Sequence, residues 1–165
     1  MRLYLMRHGL AIDRDDPDCP PEAERYLTPK GTERTRAVAE GLAEMGIRPT
    51  ILLSSPYVRA VQTGELVCEA LEIDPKNLHA SDALKPEANP ARIAEELGRL
   101  TADEVICFGH APHLDDFIAY ATRAPAPFTM LKKAGVACLD MQKLSPPVAQ
   151  LLWLLTPKLL RTLGD

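Results

Sequence analysis

The chain has 165 residues, 46% of them hydrophobic and 25% charged, with 19 basic and 23 acidic side chains and a net charge of −4. At ~100–200 residues per domain this reads as one domain, residues 1–165, large enough to build a core without staples. The acidic balance excludes a generic nucleic-acid binder, which needs a dominant basic surface. The longest apolar run, Val148–Leu155, is far too short to span a membrane.

A first strand is expected over Leu3–Met6, running into Arg7-His8-Gly9. Those two charged or polar residues interrupt the N-terminal apolar run too early for a secretory signal. Asp13–Thr28 follows, a long irregular stretch rich in Asp and Pro, of the kind that is usually functional or mobile in a compact domain. Thr28-Pro29 supplies an N-cap and a proline for the first helical position. The helix it opens carries Val38, Leu42 and Met45 and stops near Gly46. A strand at Ile51–Leu53 leads to Ser55-Pro56, read in the same way as the start of a helix with Ala60, Leu66, Val67 and Leu71 inward. A weaker strand lies at Leu78–Ala80, and Asn89-Pro90 opens a third helix with Ile93, Leu97 and Leu100. Val105–Phe108 is the next strand, followed by Gly109-His110-Ala111-Pro112-His113, where Pro112 and His113 open another helix. The last strands, Val136–Met141 and Ala149–Leu155, are joined by so short a link that they pair antiparallel.

Strands alternating with helices predict an α/β fold. It is a three-layer α/β/α arrangement with a mostly parallel central sheet of about six strands and one antiparallel strand at or near an edge. Cys19, Cys68, Cys107 and Cys138 contain no C-x-x-C spacing and read as free thiols, which suits a reducing cytoplasm.

In open α/β sheets ligands bind beyond the carboxyl ends of the strands. There the sequence puts Arg7-His8-Gly9, Ser55-Pro56-Tyr57-Val58-Arg59 and Gly109-His110, so two histidines and two arginines converge from three segments. Arg59 falls in the opening turn of its helix, with Thr63 one turn on and on the same face. A neutral imidazole is a competent nucleophile for phosphorus, and two guanidinium groups can hold the equatorial oxygens of an in-line displacement. Neighbouring positive charge keeps the imidazole unprotonated. The arrangement asks for no metal and no cofactor. A zinc site of His8, His110 and His113 is a poor alternative, because the arginines would repel the ion.

Arg7-His8-Gly9, Ser55-Pro56-x-x-Arg59-Ala60-x-x-Thr63 and Gly109-His110, in that order, resemble the three motifs of the histidine phosphatase (phosphoglycerate mutase-like) superfamily. The resemblance covers nearly the whole chain. It implies that His8 is the phosphorylated nucleophile and that Arg7, Arg59 and His110 form the phosphate pocket, with Gly9 and Thr63 as lesser candidates. Met6, Leu27-Thr28-Pro29-x-Gly31, Leu84-x-Pro86 and Lys132-Lys133-Ala134-Gly135 are similar to the SixA-type phosphohistidine phosphatases within it. Other branches carry a general acid, a glutamate after the third strand or an aspartate directly after the late histidine. Here those places read Pro86, with Glu87 one step later, and Ala111.

That departure has a chemical meaning. An alkoxide leaving group needs a proton, whereas imidazole, with a conjugate-acid pKa of ~6.5, leaves readily. The expected function is therefore a metal-independent phosphatase that hydrolyses phosphohistidine on a protein, such as a phosphotransfer domain, and releases inorganic phosphate. Two alternatives stand beside it. One is a small-molecule phosphomonoesterase of the same fold using Glu87 or Asp82 as acid; the other is a non-catalytic phosphoprotein-binding module. His113 is expected at the surface or rim, His79 at a strand end, Trp153 in the core, and Lys132-Lys133 in a solvated turn.

Overall fold

The computed structural model describes residues 1–164. Its six strands are β1 (Arg2–Arg7), β2 (Ile51–Ser54), β3 (Leu78–Ala80), β4 (Glu104–Gly109), β5 (Val136–Leu144) and β6 (Pro147–Leu155). The helices are α1 (Pro29–Glu44), α2 (Val58–Ala70), α3 (Ala91–Leu97), α4 (His113–Thr122) and α5 (Pro157–Arg161). One sheet holds all six strands in the order β3-β2-β4-β1-β5-β6. The first four pair in parallel, and β5 runs antiparallel to both β1 and β6. The expected architecture is the observed one, with the reversed strand one place in from the edge.

Side chains alternate across each central strand, as the two-residue period requires. Leu3, Leu5, Val105 and Cys107 face α3 and α4, packing on Ile93, Leu97, Leu114, Phe117 and Ile118. Tyr4, Met6, Ile106 and Phe108 face α1 and α2, packing on Val38, Leu42, Val67 and Leu71. Two buried layers on one sheet explain why these strands read as continuous apolar runs rather than alternating ones.

Local chemistry moved some boundaries. Thr28 caps α1 as expected, its Oγ1 accepting from Gly31 N–H at 3.0 Å. The helix ends before Gly46, whose φ of +72° takes the left-handed conformation that glycine allows. Ser55, by contrast, does not cap α2. Its hydroxyl accepts from Tyr57 N–H and turns the chain, so α2 begins at Val58 rather than Pro56. Asn89 does the same for Ala91 N–H, and α3 starts there. The last two strands extend until only Ser145 and Pro146 separate them. Pro147, at the start of an edge strand, costs the sheet no needed donor. Trp153 is half-buried over Tyr4 rather than enclosed in the core.

Candidate active site

The strand order puts β2, β4 and β1 side by side, in register Ser54↔Phe108 and Arg7↔Gly109. Their carboxyl ends therefore deliver Ser55, His110 and His8 to one point. The chain at His8 is fixed from both sides. Arg7 N–H donates to Gly135 O, His8 N–H donates to Gly109 O, and Ala134 N–H donates to the carbonyls of both Arg7 and His8. Gly9 must lack a side chain, since a Cβ there would collide with the Thr35 hydroxyl.

Hydrogen bonding sets the histidine tautomers. His8 Nδ1 lies 2.7 Å from Gly9 O. A carbonyl only accepts, so Nδ1 carries the proton and Nε2 presents its lone pair. That lone pair receives Arg59 Nε–H at 3.2 Å. Arg59 Nη2 lies 3.3 Å from His110 Nδ1, and a guanidinium only donates, so the His110 proton sits on Nε2 and goes to Ser55 Oγ at 2.9 Å. Both imidazoles are neutral. Burial first, then Arg59 and Arg7, push His8 down to about 3. Burial, then His8 and Arg59, push His110 down to about 2.

Arg7 reaches the same cavity from β1, its Nη1 donating to Leu131 O at 2.9 Å and its Nε buried without a partner. Asp115 holds that acceptor in place by taking Leu131 N–H and the Thr129 hydroxyl on one oxygen. The cavity has a volume of about 650 Å³ and opens past Arg14, Glu22, Tyr57, Glu87 and Lys133. What results is an unprotonated imidazole nitrogen beside two guanidinium groups in a buried recess. That set can bind a phosphoryl dianion and attack it.

Arg7, His8, Arg59 and His110 are thus brought together, and other candidates take different places. Gly9 N–H is spent on Thr63 Oγ1 at 3.0 Å, and the Thr63 hydroxyl donates to Arg59 O at 2.7 Å. This pair does not face a phosphate; it ties the backbone beneath His8 to the helix that carries Arg59. Glu87 stands at the mouth, accepting from the Tyr57 hydroxyl. Asp82 lies outside the cavity, ion-paired to Lys85 at 2.8 Å, which holds its carboxyl below the usual range. His113 is not at the surface. It is 3% exposed in the first turn of α4, with neither ring nitrogen partnered.

Sequence reasoning missed Glu22. It sits in a single 3-10 turn, Glu22–Glu24, of the long loop, and reaches back over α2. Its carbonyl accepts from Arg59 Nη1 at 2.7 Å and its Oε1 from Arg59 Nη2 at 2.9 Å. Arg14 and Arg25 bind the same carboxylate. The hydrogen bond from Arg14, then the charges of Arg59 and Arg25, hold Glu22 down at about 2. Nothing distinguishes it in sequence from its acidic neighbours. Ser55 was visible, at a strand end, but only as a cap.

Among the described residues no group of three or more His, Cys, Asp or Glu is disposed to hold a metal ion, and no helix is long and apolar enough to cross a membrane. The family model of the histidine phosphatase superfamily (branch 1) matches residues 3–85. An uncharacterized protein of Picosynechococcus sp. is 34% identical over 140 residues, 82% of each chain. The phosphohistidine phosphatase SixA of Escherichia coli is 28% identical over 146 residues, 87% of each chain. A solved structure of the protein histidine phosphatase SixA with tungstate superposes with a TM-score of 0.85 at 24% identity, covering 97% of this chain and 99% of that one. The fold also matches the alpha-ribazole phosphatase of Shigella flexneri, with a TM-score of 0.72 at 19% identity over 95% and 97% of the two chains. The chain belongs to the histidine phosphatase superfamily.

Proposed function

We propose that the protein hydrolyses phosphohistidine on a protein through a phosphohistidine intermediate at His8. Nε2 of His8 attacks phosphorus in line, and the N–P bond forms as the bond to the substrate's imidazole breaks; that ring carries a proton on its distal nitrogen and so departs as neutral imidazole. Arg7 and Arg59 neutralise the equatorial oxygens, and His110 faces the same phosphoryl group. On substrate binding the Arg59 Nε–H passes from His8 to a phosphate oxygen, which frees the lone pair. Water then attacks the phosphoenzyme, the N–P bond breaks, and inorganic phosphate leaves.

The observation that carries the substrate class is the state of the carboxyl groups. Glu22 is held ionised by three arginines, and Asp82 lies outside the cavity. Glu87 is an exposed residue at the mouth, engaged with Tyr57. A leaving group therefore departs without a ready proton donor beside the histidines, which suits imidazole and penalises an alkoxide by ~10²–10⁴-fold. The similarity to a phosphohistidine phosphatase over most of the chain supports the same reading. A wide cavity with a solvent-facing mouth suits a residue carried on a protein surface. Three buried free cysteines suit a reducing cytoplasm.

The small-molecule phosphomonoesterase reading rests on Glu87, the one carboxyl at the mouth outside the arginine cluster. Rates on phosphohistidine protein, p-nitrophenyl phosphate and a sugar phosphate in excess chelator separate the two. A rate that falls steeply with leaving-group basicity supports phosphohistidine. A flat dependence, abolished in Glu87→Gln, would make the protein an esterase. Binding without turnover or phosphoenzyme would make it a binding module.

A further inference from the structure

A second cavity of about 370 Å³ adjoins the first and shares Arg7 and Lys133 with it. Arg7, Arg34, Lys132, Lys133 and Arg161 surround it above the apolar side chain of Leu10, and no carboxylate among the described residues lines it. The first cavity, by contrast, carries Glu22 and Glu87. Such a concentration of uncompensated positive charge is unusual for a chain of net charge −4.

The backbone that carries two of these cations is fixed, while the side chains of Arg34, Lys132 and Lys133 are exposed. Lys132 and Lys133 lie in a turn closed by Gly135 N–H donating to Lys132 O at 2.7 Å, with Ala134 in the left-handed conformation at φ 60°. Asp115 anchors the residues just before that turn through Thr129 and Leu131. Arg34 projects from the second turn of α1. Neither Arg34 nor Lys132 forms an ion pair with a described residue, and the only polar contact of the Lys132 ammonium is the Met130 sulfur at 3.3 Å. Unpaired cations carried on a fixed turn and on α1, beside the apolar side chain of Leu10, fit a short side chain with an anionic head.

We propose that this cavity is a docking subsite for a carboxylate of the phosphoprotein, an Asp or Glu side chain presented beside the phosphohistidine, bound chiefly by Arg34 and Lys132. The subsite rests on the phosphohistidine reading above and narrows it: the substrate surface is acidic around its modified histidine. It also separates protein substrates from small phosphate esters, which fill the first cavity alone.

The test uses peptides bearing the non-hydrolysable analogue phosphoryltriazolylalanine, flanked by glutamates, glutamines or lysines, with affinity read by calorimetry. The glutamate peptide is expected to bind wild type about five- to tenfold more tightly than the glutamine peptide, less so at high salt. That ratio should fall below about twofold in Arg34→Ala/Lys132→Ala. Arg34→Glu/Lys132→Glu should prefer the lysine peptide. Unchanged turnover of p-nitrophenyl phosphate by both variants reports that they are folded. Equal glutamate preference in wild type and variants, or none in wild type, would overturn the subsite. Turnover of a phosphohistidine peptide by wild type is scored separately. Its absence would remove the phosphohistidine reading while the affinity ratios still judged the subsite.

Discussion

The Nε–H of Arg59 points at the Nε2 lone pair of His8 across 3.2 Å, and three of the other four N–H donors of that guanidinium also go to protein acceptors, Glu22 O, Glu22 Oε1 and His110 Nδ1. A guanidinium whose inward-facing N–H groups are engaged in this way has to exchange bonds when a phosphoryl group enters. The exchange favours reaction: the oxygen takes the N–H, and phosphorus takes the lone pair it covered. Arg59→Ala should therefore lower kcat/KM by about 10²–10³-fold, the cost of removing one preorganised donor at developing charge. Arg59→Lys should recover little, because an ammonium has no fork to reach His8, His110 and phosphate together. Steady-state kinetics with His8→Ala as the blank would check this, and full activity in Arg59→Lys would contradict it.

Glu22 holds Arg59 Nη2 at 2.9 Å, where an incoming phosphate would compete for the same donor. The carboxylate acts as an internal anion that substrate must displace. Glu22→Gln keeps the shape and drops the charge, so orthophosphate should inhibit the variant about three- to tenfold more tightly than wild type. If Glu22 served mainly to orient Arg59, inhibition would weaken instead. The sign of the change in Ki decides between them.

This contact also marks where reading the chain runs out. The strand ends, with Arg7-His8, Arg59 and His110, were legible because alternating strands and helices fix which residues emerge at one sheet edge. Even β3, of three residues, was visible. Glu22 was not, because its role depends on how a loop of sixteen residues, Asp13–Thr28, folds back on α2, and no periodicity encodes that path. The loop is held by Arg25, whose guanidinium donates twice to Ile12 O. His113 was misplaced for a related reason. A histidine after a proline at a helix start usually meets solvent, but here the first turn of α4 is packed inward, Leu114 and Asp115 with it.

The depressed histidines give a pH prediction for chemistry. Burial and the adjacent arginines hold His8 near 3 instead of the ordinary ~6.5, so the free enzyme keeps its nucleophile through mild acid. Burst formation of nitrophenolate, corrected for ionisation of the substrate, should show no loss assignable to His8 between pH 7 and about pH 4. A fall centred near 6.5 would mean that the imidazole is not desolvated as described.

The same groups act on stability with a definite sign. For His8 and His110 the folded-state pKa lies below the unfolded value, so the unfolded chain binds more protons once pH drops below ~6.5. Stability is complete above that pH and is lost progressively as pH falls toward about 3 for His8 and about 2 for His110. The limiting slope is about 1.4 kcal/mol per pH unit for each histidine. Glu22, depressed from 4.5 to about 2, adds to the loss only below 4.5. Denaturant titrations at pH 7.5, 6 and 5 should therefore show a slope that His8→Asn reduces. Equal slopes in both proteins would contradict the assignment.

Thr63 gives the most local prediction, because one hydroxyl joins the two halves of the site. It accepts from Gly9 N–H and donates to Arg59 O, with no exposed surface. Thr63→Val keeps the volume but leaves the Gly9 amide without a partner, at a cost of about 1–3 kcal/mol. The substitution also frees the backbone under His8 relative to the helix that carries Arg59. In-line attack depends on that distance, so kcat should fall by about tenfold or more with KM little altered. Thr63→Ser retains the hydroxyl and should restore kcat. A loss of stability with kcat unchanged would make Thr63 a packing residue only, and a rise confined to KM would return it to the phosphate shell.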